Sequence, residues 1–255
     1  MDLELRDKSF LITGGSDGLG FALAHRLIDE GAQVAICGRD QSRLNEASAT
    51  LGDRALCVRA DVTNASELDG FIDATLERFG GLDGAVNNAG KSSSSSVAES
   101  TDELWRVDYE LKVISALHVS RRLLPVLEAS GGAIVNVLAT GARTPGANSA
   151  PTTASRAAGL AFTKALANEA APRGVRVNAI LIGLIESGQW VRQAGDADVD
   201  MAAFYAQMAK NAKIPLGRMG RGDEFADLAS YLLSQRASYV TGVGISLDGG
   251  LSPAI

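Results

Sequence analysis

Eight residues near the start of the chain, Thr13-Gly14-Gly15-Ser16-Asp17-Gly18-Leu19-Gly20, hold four glycines between two patterned stretches. Before them, Ser9–Thr13 is a short apolar run of strand type. After them, Leu19, Ala22, Leu23 and Leu27 recur at helical spacing, and Gly31 stands where a glycine cap ends a helix. Glycine permits a tight turn and lets backbone approach a ligand closely. The helix that follows offers unpaired N–H groups and a partial positive charge to an anion. A second strand, Gln33–Cys37, ends about 20 residues further on, the spacing of a dinucleotide-binding unit. The turn is therefore read as a pyrophosphate cradle.

The same rhythm continues through the 255 residues. Ala55–Arg59, Gly84–Asn87, Ala133–Leu138, Val175–Leu181 and Val243–Leu247 are further strands. They are continuous apolar runs, the mark of a parallel sheet covered on both faces. Amphipathic helices alternate with them, and the one carrying Leu160, Phe162, Ala165, Leu166 and Glu169 must stop before Pro172. Right-handed strand–helix–strand units imply an α/β fold with a doubly wound parallel sheet and helices on both faces. No linker or repeat divides the chain, so residues 1–255 are expected to form a single domain.

Composition narrows the function classes. A net charge of −6 gives no electrostatic help toward nucleic acid or an anionic membrane. There is no apolar run of membrane-spanning length, and Met1-Asp2-Leu3-Glu4-Leu5-Arg6 lacks a signal-peptide pattern. Cys37 and Cys57 lie in apolar runs and read as buried free thiols, which suits a reducing cytoplasm.

Two stretches break the rhythm. Lys91 and the serines 92–96 read as a loop beside a strand end. Residues 184–213 are long for a connection and read as a substrate-side lid. Asp196, Asp198 and Asp200 lack the glycine and glutamate of a calcium loop and read as a solvated helix start. No Cys/His spacing suits zinc, so no metal is expected.

Cofactor choice turns on the end of the second strand, Cys37-Gly38-Arg39-Asp40. A free ribose 2′-hydroxyl usually meets an acid there, whereas a 2′-phosphate prefers arginine. Gly38 in the acidic slot and Arg39 after it favour NADP(H) over NAD(H). Asp17 argues the other way by placing negative charge nearby, and Asp40 is positioned to neutralise Arg39.

With these motifs in order, the chain resembles the short-chain dehydrogenase/reductase (SDR) family from about Phe10 to Gly250. The turn matches that family's TGxxxGxG, Asp61-Val62 its adenine-contacting pair, and Asn87-Asn88-Ala89-Gly90 its NNAG. Ile134–Val137, Val175–Ile180, Ile214–Arg218 and Asp248-Gly249-Gly250 resemble its later signatures. The resemblance implies a Rossmann-like domain and cofactor contacts from Gly14, Ser16, Asp17, Gly18, Leu19 and Gly20, from Arg39, Asp61 and Val62, and from Asn88, Ala89, Gly90 and Arg156. It also implies a dimer or tetramer, with Leu111, Ile114 and Leu117, and Leu160, Phe162 and Leu166, as interface or core.

The family's four catalytic side chains, however, are missing. Its tyrosine, lysine, serine and asparagine positions hold Thr152, Arg156, Ala139 and Glu110. No tyrosine is followed four residues later by lysine: Tyr109, Tyr205, Tyr231 and Tyr239 are followed by Val113, Ala209, Gln235 and Val243. A threonine hydroxyl is a far weaker acid than a phenol, and arginine keeps its charge without releasing a proton. Loss of the acid–base step costs roughly 10²–10⁴ in rate.

Glu110 and Arg156 are expected to face one another as a buried ion pair, or Glu110 to serve as a displaced acid or base. Arg143 is read either as a contact for an acidic substrate or as a solvated residue. Ser187 matches, by position, the family hydroxyl at the carboxamide. Tyr109, Lys112, His118 and His25 read as packing or surface residues. Three functions stay open: an oxidoreductase acting on a small carbonyl or alcohol with non-standard catalytic residues, a cofactor-binding pseudoenzyme, and a lyase or isomerase using the same pocket.

Overall fold

The computed structural model describes residues 2–188, 190 and 200–254. Among these the main sheet has seven strands: β1 (Ser9–Thr13), β2 (Gln33–Gly38), β3 (Ala55–Arg59), β4 (Gly84–Asn87), β6 (Ala133–Ala139), β8 (Arg176–Ile182) and β9 (Gly244–Leu247). Their order is β3-β2-β1-β4-β6-β8-β9, and every pairing is parallel. All seven strands read from the sequence are present, with ends shifted by a residue at most.

Helices cover both faces. They are α1 (Gly18–Asp29), α2 (Gln41–Leu51), α3 (Ala65–Phe79), α4 (Asp102–Tyr109), α5 (Ser115–Ser130), α6 (Thr152–Ala170), α7 (Met201–Ala212) and α8 (Gly222–Leu233). One core cluster lies on the face covered by α1 and α8, around Phe10, Leu23, Leu27 and Phe225. The other lies beneath α3, α5 and α6, around Leu11, Phe71, Leu123 and Leu166. Each such side chain, taken fully from water, contributes about 1.5–3 kcal/mol. Alternate residues of β1 go to opposite clusters, Phe10 and Ile12 to one and Leu11 to the other. That division explains why the strand is apolar throughout rather than alternating.

Sequence punctuation sets the helix ends. Asp17, Asp40, Asn64 and Asp200 cap α1, α2, α3 and α7 with their side chains. Gly31 follows α1 at φ +86°, as its position implied. Asp200 is thus a helix start, while Asp196 and Asp198 lie outside the described residues.

One expectation is corrected here. The serine run is not entirely loop: β5 (Ser94–Ser95) pairs antiparallel with β7 (Ala150–Pro151), which leads directly into α6. The peptide bond between Ala150 and Pro151 is cis. Strand order reverses between β1 and β4, and the carboxyl ends there form the crevice where such sheets bind ligands.

Candidate functional site

The crevice holds a cleft of about 400 Å³ lined by the glycine turn, by Asn88, Ala89 and Gly90 after β4, by Ala139 after β6, by Thr152 and Arg156 of α6, and by Leu184, Ile185, Ser187, Gly188 and Trp190. A neighbouring recess of about 300 Å³ continues past Gly14 and Ser16 to Gly38, Arg39, Asp40, Arg43, Asp61 and Val62.

At the turn, glycine is required by contact. A Cβ on Gly14, whose φ is +68°, would lie 2.9 Å from the Ala89 Cα. One on Gly20 would lie 2.4 Å from the Gly14 carbonyl oxygen. Gly20 therefore packs behind the turn rather than lining the cleft. Asn88 Nδ2 donates to the Thr13 and Gly14 carbonyls at 3.0 and 2.8 Å, and the Thr13 hydroxyl accepts from the Asn88 and Ala89 amides at 3.1 Å each. The turn and the end of β4 are thus one rigid unit. The amides of Leu19 and Gly20 sit in the first turn of α1, where no intrahelical carbonyl reaches them. A backbone cradle with a helix N-terminus behind it fits a pyrophosphate.

The adenosine-side recess departs from the sequence reading in its pairings. Asp40 caps α2 and lies 3.6 Å from Arg43, so it does not neutralise Arg39. Arg39 is exposed and lies 3.8 Å from Asp61. Asp17 donates its charge to the α1 cap, accepting from the Gly18 amide at 2.7 Å, and lies 3.5 Å from Arg43. Arg43, in the first turn of α2 and four residues after Arg39, was missed by the sequence reading; its closeness to Arg39 in the chain was the available signal. At Gly38 the Ser16 hydroxyl fills the space a Cβ would take, at 2.6 Å. Burial raises the Asp61 carboxyl, but the amide and hydroxyl of Thr63 with Arg39 and Arg59 outweigh it and hold it below the ordinary carboxylate range. Cys37 is buried beneath this recess, and burial pushes its thiol up to about 12. Cys57 is free but only half-buried.

At the other end, Thr152, Arg156 and Ala139 do meet in the cleft, but Glu110 does not. Asp108 and Lys112 are four residues apart, so both face α6, and Glu110, midway between them, is turned outward and exposed. The expected Glu110–Arg156 pair is not formed, and a displaced acid–base role for Glu110 has no access to the cleft. Instead, buried Lys112 donates to Asp108 Oδ1 at 2.5 Å and to Thr152 Oγ1 at 2.7 Å. Ser155 donates to the other Asp108 oxygen at 2.5 Å, and its Oγ lies 3.0 Å from the Thr152 carbonyl oxygen. Residues Glu110–Ile114 form a π-helical turn between α4 and α5, a feature often found at functional sites. Sequence reading placed Lys112 among surface or packing residues; its i, i+4 partner Asp108 was the signal passed over.

Burial, the neighbouring Arg156 guanidinium and, more weakly, Lys91 push the Lys112 ammonium down to about 8, against the opposing pull of Asp108. Arg156 donates to the Val137 carbonyl at 2.5 Å, and its Nε is buried with no partner among the described residues. Burial lowers its guanidinium to about 10, so it stays charged at neutral pH. Arg143 is half-buried and does not line the main cleft: it donates to the Gly244 carbonyl at 2.7 Å and ties β9 to the loop after β6. Ser187 lies beside Gly18 at the cleft wall. Tyr109 stacks on Trp105, and His118 and His25 pair with Asp69 and Asp29 near the surface. No cluster of metal-ligating residues occurs among the described residues.

With this geometry in view, comparison with known proteins is decisive. Residues 14–252 match the family model described as enoyl-(acyl carrier protein) reductase. The chain belongs to the short-chain dehydrogenase/reductase family. An NADPH-bound short-chain oxidoreductase from Pseudomonas aeruginosa, described as containing an atypical catalytic center, is 40% identical, with a TM-score of 0.92 over 98% of this chain and 100% of its own. L-sorbose reductase from Gluconobacter frateurii, complexed with NADPH and L-sorbose, is 33% identical, with a TM-score of 0.94 over the whole of both chains. A 3-ketoacyl-(acyl-carrier-protein) reductase from Brucella melitensis, complexed with NADH, is 31% identical, with a TM-score of 0.88 over 98% of this chain and 100% of that one. These SDR relatives carry NADPH or NADH, so a nicotinamide cofactor is supported for this SDR chain.

Proposed function

We propose that the protein is an NADP(H)-dependent oxidoreductase acting on a small carbonyl or alcohol. The observation that carries this reading is the continuity of the cleft, which runs from Arg39 and Arg43, past the glycine turn, to a hydroxyl backed by a buried ammonium at Thr152. When bound, the reduced nicotinamide supplies a hydride. The protein supplies the cradle: amides of the turn for the pyrophosphate, Asp61 and Val62 beside the adenine, and the Arg156 guanidinium toward ribose hydroxyls. Preference for the 2′-phosphate follows from Gly38, Arg39 and Arg43, with no acid at position 38 to repel it.

Leu184, Ile185, Ser187, Gly188 and Trp190 on the cleft wall support a lid role for the segment that follows β8. An assembly of like chains is part of this reading, supported by exposed Val107 on α4, Ile114 in the π-helical turn and Leu117 on α5. Leu166 is buried in the second core cluster, while Leu111 and Phe162 pack partly against it and Leu160 against a smaller one. A reducing cytoplasmic setting suits the two free cysteines. No helix among the described residues is long and apolar enough to cross a membrane.

A second reading has its own support. Ala139 offers no hydrogen bond where the family has serine, which favours a cofactor-binding pseudoenzyme. The test is loss of NADPH absorbance at 340 nm with ethyl acetoacetate, L-sorbose and 2,3-butanedione as probes. Protein-dependent turnover of any probe supports the oxidoreductase. Saturable NADPH binding with no turnover supports the pseudoenzyme.

A further inference from the structure

The oxidoreductase reading leaves open what replaces the missing phenol as proton donor. We infer that the Thr152 hydroxyl is the group that exchanges the proton with the substrate oxygen, and that Lys112, acting through Thr152, supplies it. This rests on the proposed oxidoreductase activity and assigns its acid–base machinery.

The geometry fixes the direction of the relay. Lys112 Nζ has no acceptor capacity, so at 2.7 Å it donates to Thr152 Oγ1. That bond occupies a lone pair of Oγ1 and leaves the hydroxyl's own hydrogen to point elsewhere. Thr152 lines the main cleft, whereas Lys112 does not. Asp108, held by Ser155 on its second oxygen, fixes the ammonium from behind at 2.5 Å. The charged groups acting on Lys112 are Asp108 on α4, Arg156 on α6 and Lys91 on the loop after β4. A threonine hydroxyl alone is too weak an acid, but it need not release a net proton. It passes one on while receiving another, so the acidity that counts is that of the ammonium, which lies close to working pH.

In reduction, the carbonyl carbon gains hydride with its electron pair, and the π pair of the C=O bond moves onto oxygen. The Thr152 Oγ1–H bond breaks as the new substrate O–H bond forms. A Lys112 Nζ–H bond breaks as Oγ1–H is remade, leaving the amine neutral. Beside Lys112 there is space for the group that would reload it. A cavity of about 10 Å³, near the size needed for one water, is lined by Lys112, Ser115, Asn87, Asn136 and Arg156. Asn87 Oδ1 there is a buried acceptor without a partner among the described residues.

The experiment combines Thr152→Val, Thr152→Ser and Lys112→Arg with direct titration of Lys112. On whichever of the three probes the wild type reduces, Thr152→Val should lower kcat at least 100-fold with the NADPH Kd within twofold. Thr152→Ser should recover most of that loss. The wild-type kcat should decline above about pH 8, and Lys112→Arg should move that decline upward by more than one pH unit. In cofactor-free, ¹⁵N-lysine-labelled protein, the Lys112 Nζ resonance should titrate near pH 8, below the ordinary lysine value of about 10.4. Thr152→Val that reduces within threefold of wild type, or a Lys112 that stays charged beyond pH 10, overturns the relay alone. Should Lys112→Arg fail to fold, the threonine pair and the titration still decide. A wild type that binds NADPH but reduces no probe overturns the oxidoreductase reading and the relay together.

Discussion

The two ends of the cleft stand at different distances from the family pattern. At the adenosine and pyrophosphate end, Gly14, Gly18, Gly20, Asp61 and the Asn87–Gly90 stretch all match. At the other end, the four positions that the sequence reading aligns with the family's catalytic side chains hold Thr152, Arg156, Ala139 and Glu110. The contrast reflects what each end is made of. The cradle is backbone, and its glycines are locked by contact: a Cβ on Gly20 meets the Gly14 carbonyl at 2.4 Å. The catalytic end is made of side chains, whose hydrogen bonds and charge can be resupplied from a neighbouring helix. Here a lysine reaches Thr152 from Glu110–Ile114, the π-helical turn, rather than from α6.

The sharpest way to break this comparison is at the buried Asp108–Lys112 pair. Asp108→Asn leaves a buried ammonium without its counter-charge, and such losses cost about 3–5 kcal/mol. Chemical denaturation should show that loss, whereas a change under 1 kcal/mol would mean the pair is not buried as described. At the cradle, Gly20→Ala should cost about 1–3 kcal/mol through overpacking and weaken NADPH binding more than tenfold in a fluorescence titration. Removing Arg39 and Arg43 together should raise the NADPH Kd by about tenfold to 100-fold, on the scale of a charged hydrogen bond, and change NADH binding less than threefold.

A smaller effect lies away from both ends. Arg218, with the Arg221 amide, holds the Glu224 carboxyl down to about 2 against a modest burial effect. A carboxylate depressed in the folded state stabilises above its unfolded value and loses that contribution as pH falls through the folded value. The stability gap between wild type and Glu224→Gln, about 0.5–1 kcal/mol for a half-exposed pair, should therefore close between pH 4.5 and 2. Smallest of all, Glu110→Gln should leave turnover and stability unchanged, because its side chain faces solvent. A tenfold loss of kcat there would restore the sequence expectation for that residue.

The fold was legible because a parallel sheet buried on both faces writes itself as uninterrupted apolar runs, as in β1, where all five residues are buried. A helix start was legible at Asp200, whose side chain caps the helix that follows, whereas the cap at Asp17 was not read. The β5–β7 pairing was not, because two serines carry no pattern and their partner lies more than 50 residues away in the chain. The bond from Arg143 was not legible for the same reason, its acceptor being a backbone carbonyl 101 residues on. The residues that line the adenosine and pyrophosphate end were legible from the glycine turn's spacing and from the family resemblance, since glycines and strand ends are local. The catalytic half was not, because the depth of Lys112 depends on which side of α4 packs against α6. Asp108 and Lys112 at i, i+4, with Ser155 across from them, were the only trace of it in the sequence.

The proposed cofactor site joins a pyrophosphate cradle to a 2′-phosphate contact at Arg39 and Arg43. Its most direct test is a fluorescence titration of the wild-type protein with NADPH and with NADH under identical salt. The account predicts micromolar binding of NADPH, at least tenfold tighter than NADH. Equal affinity for the two would contradict the role given to Arg39 and Arg43, and no binding of either would contradict the cradle itself.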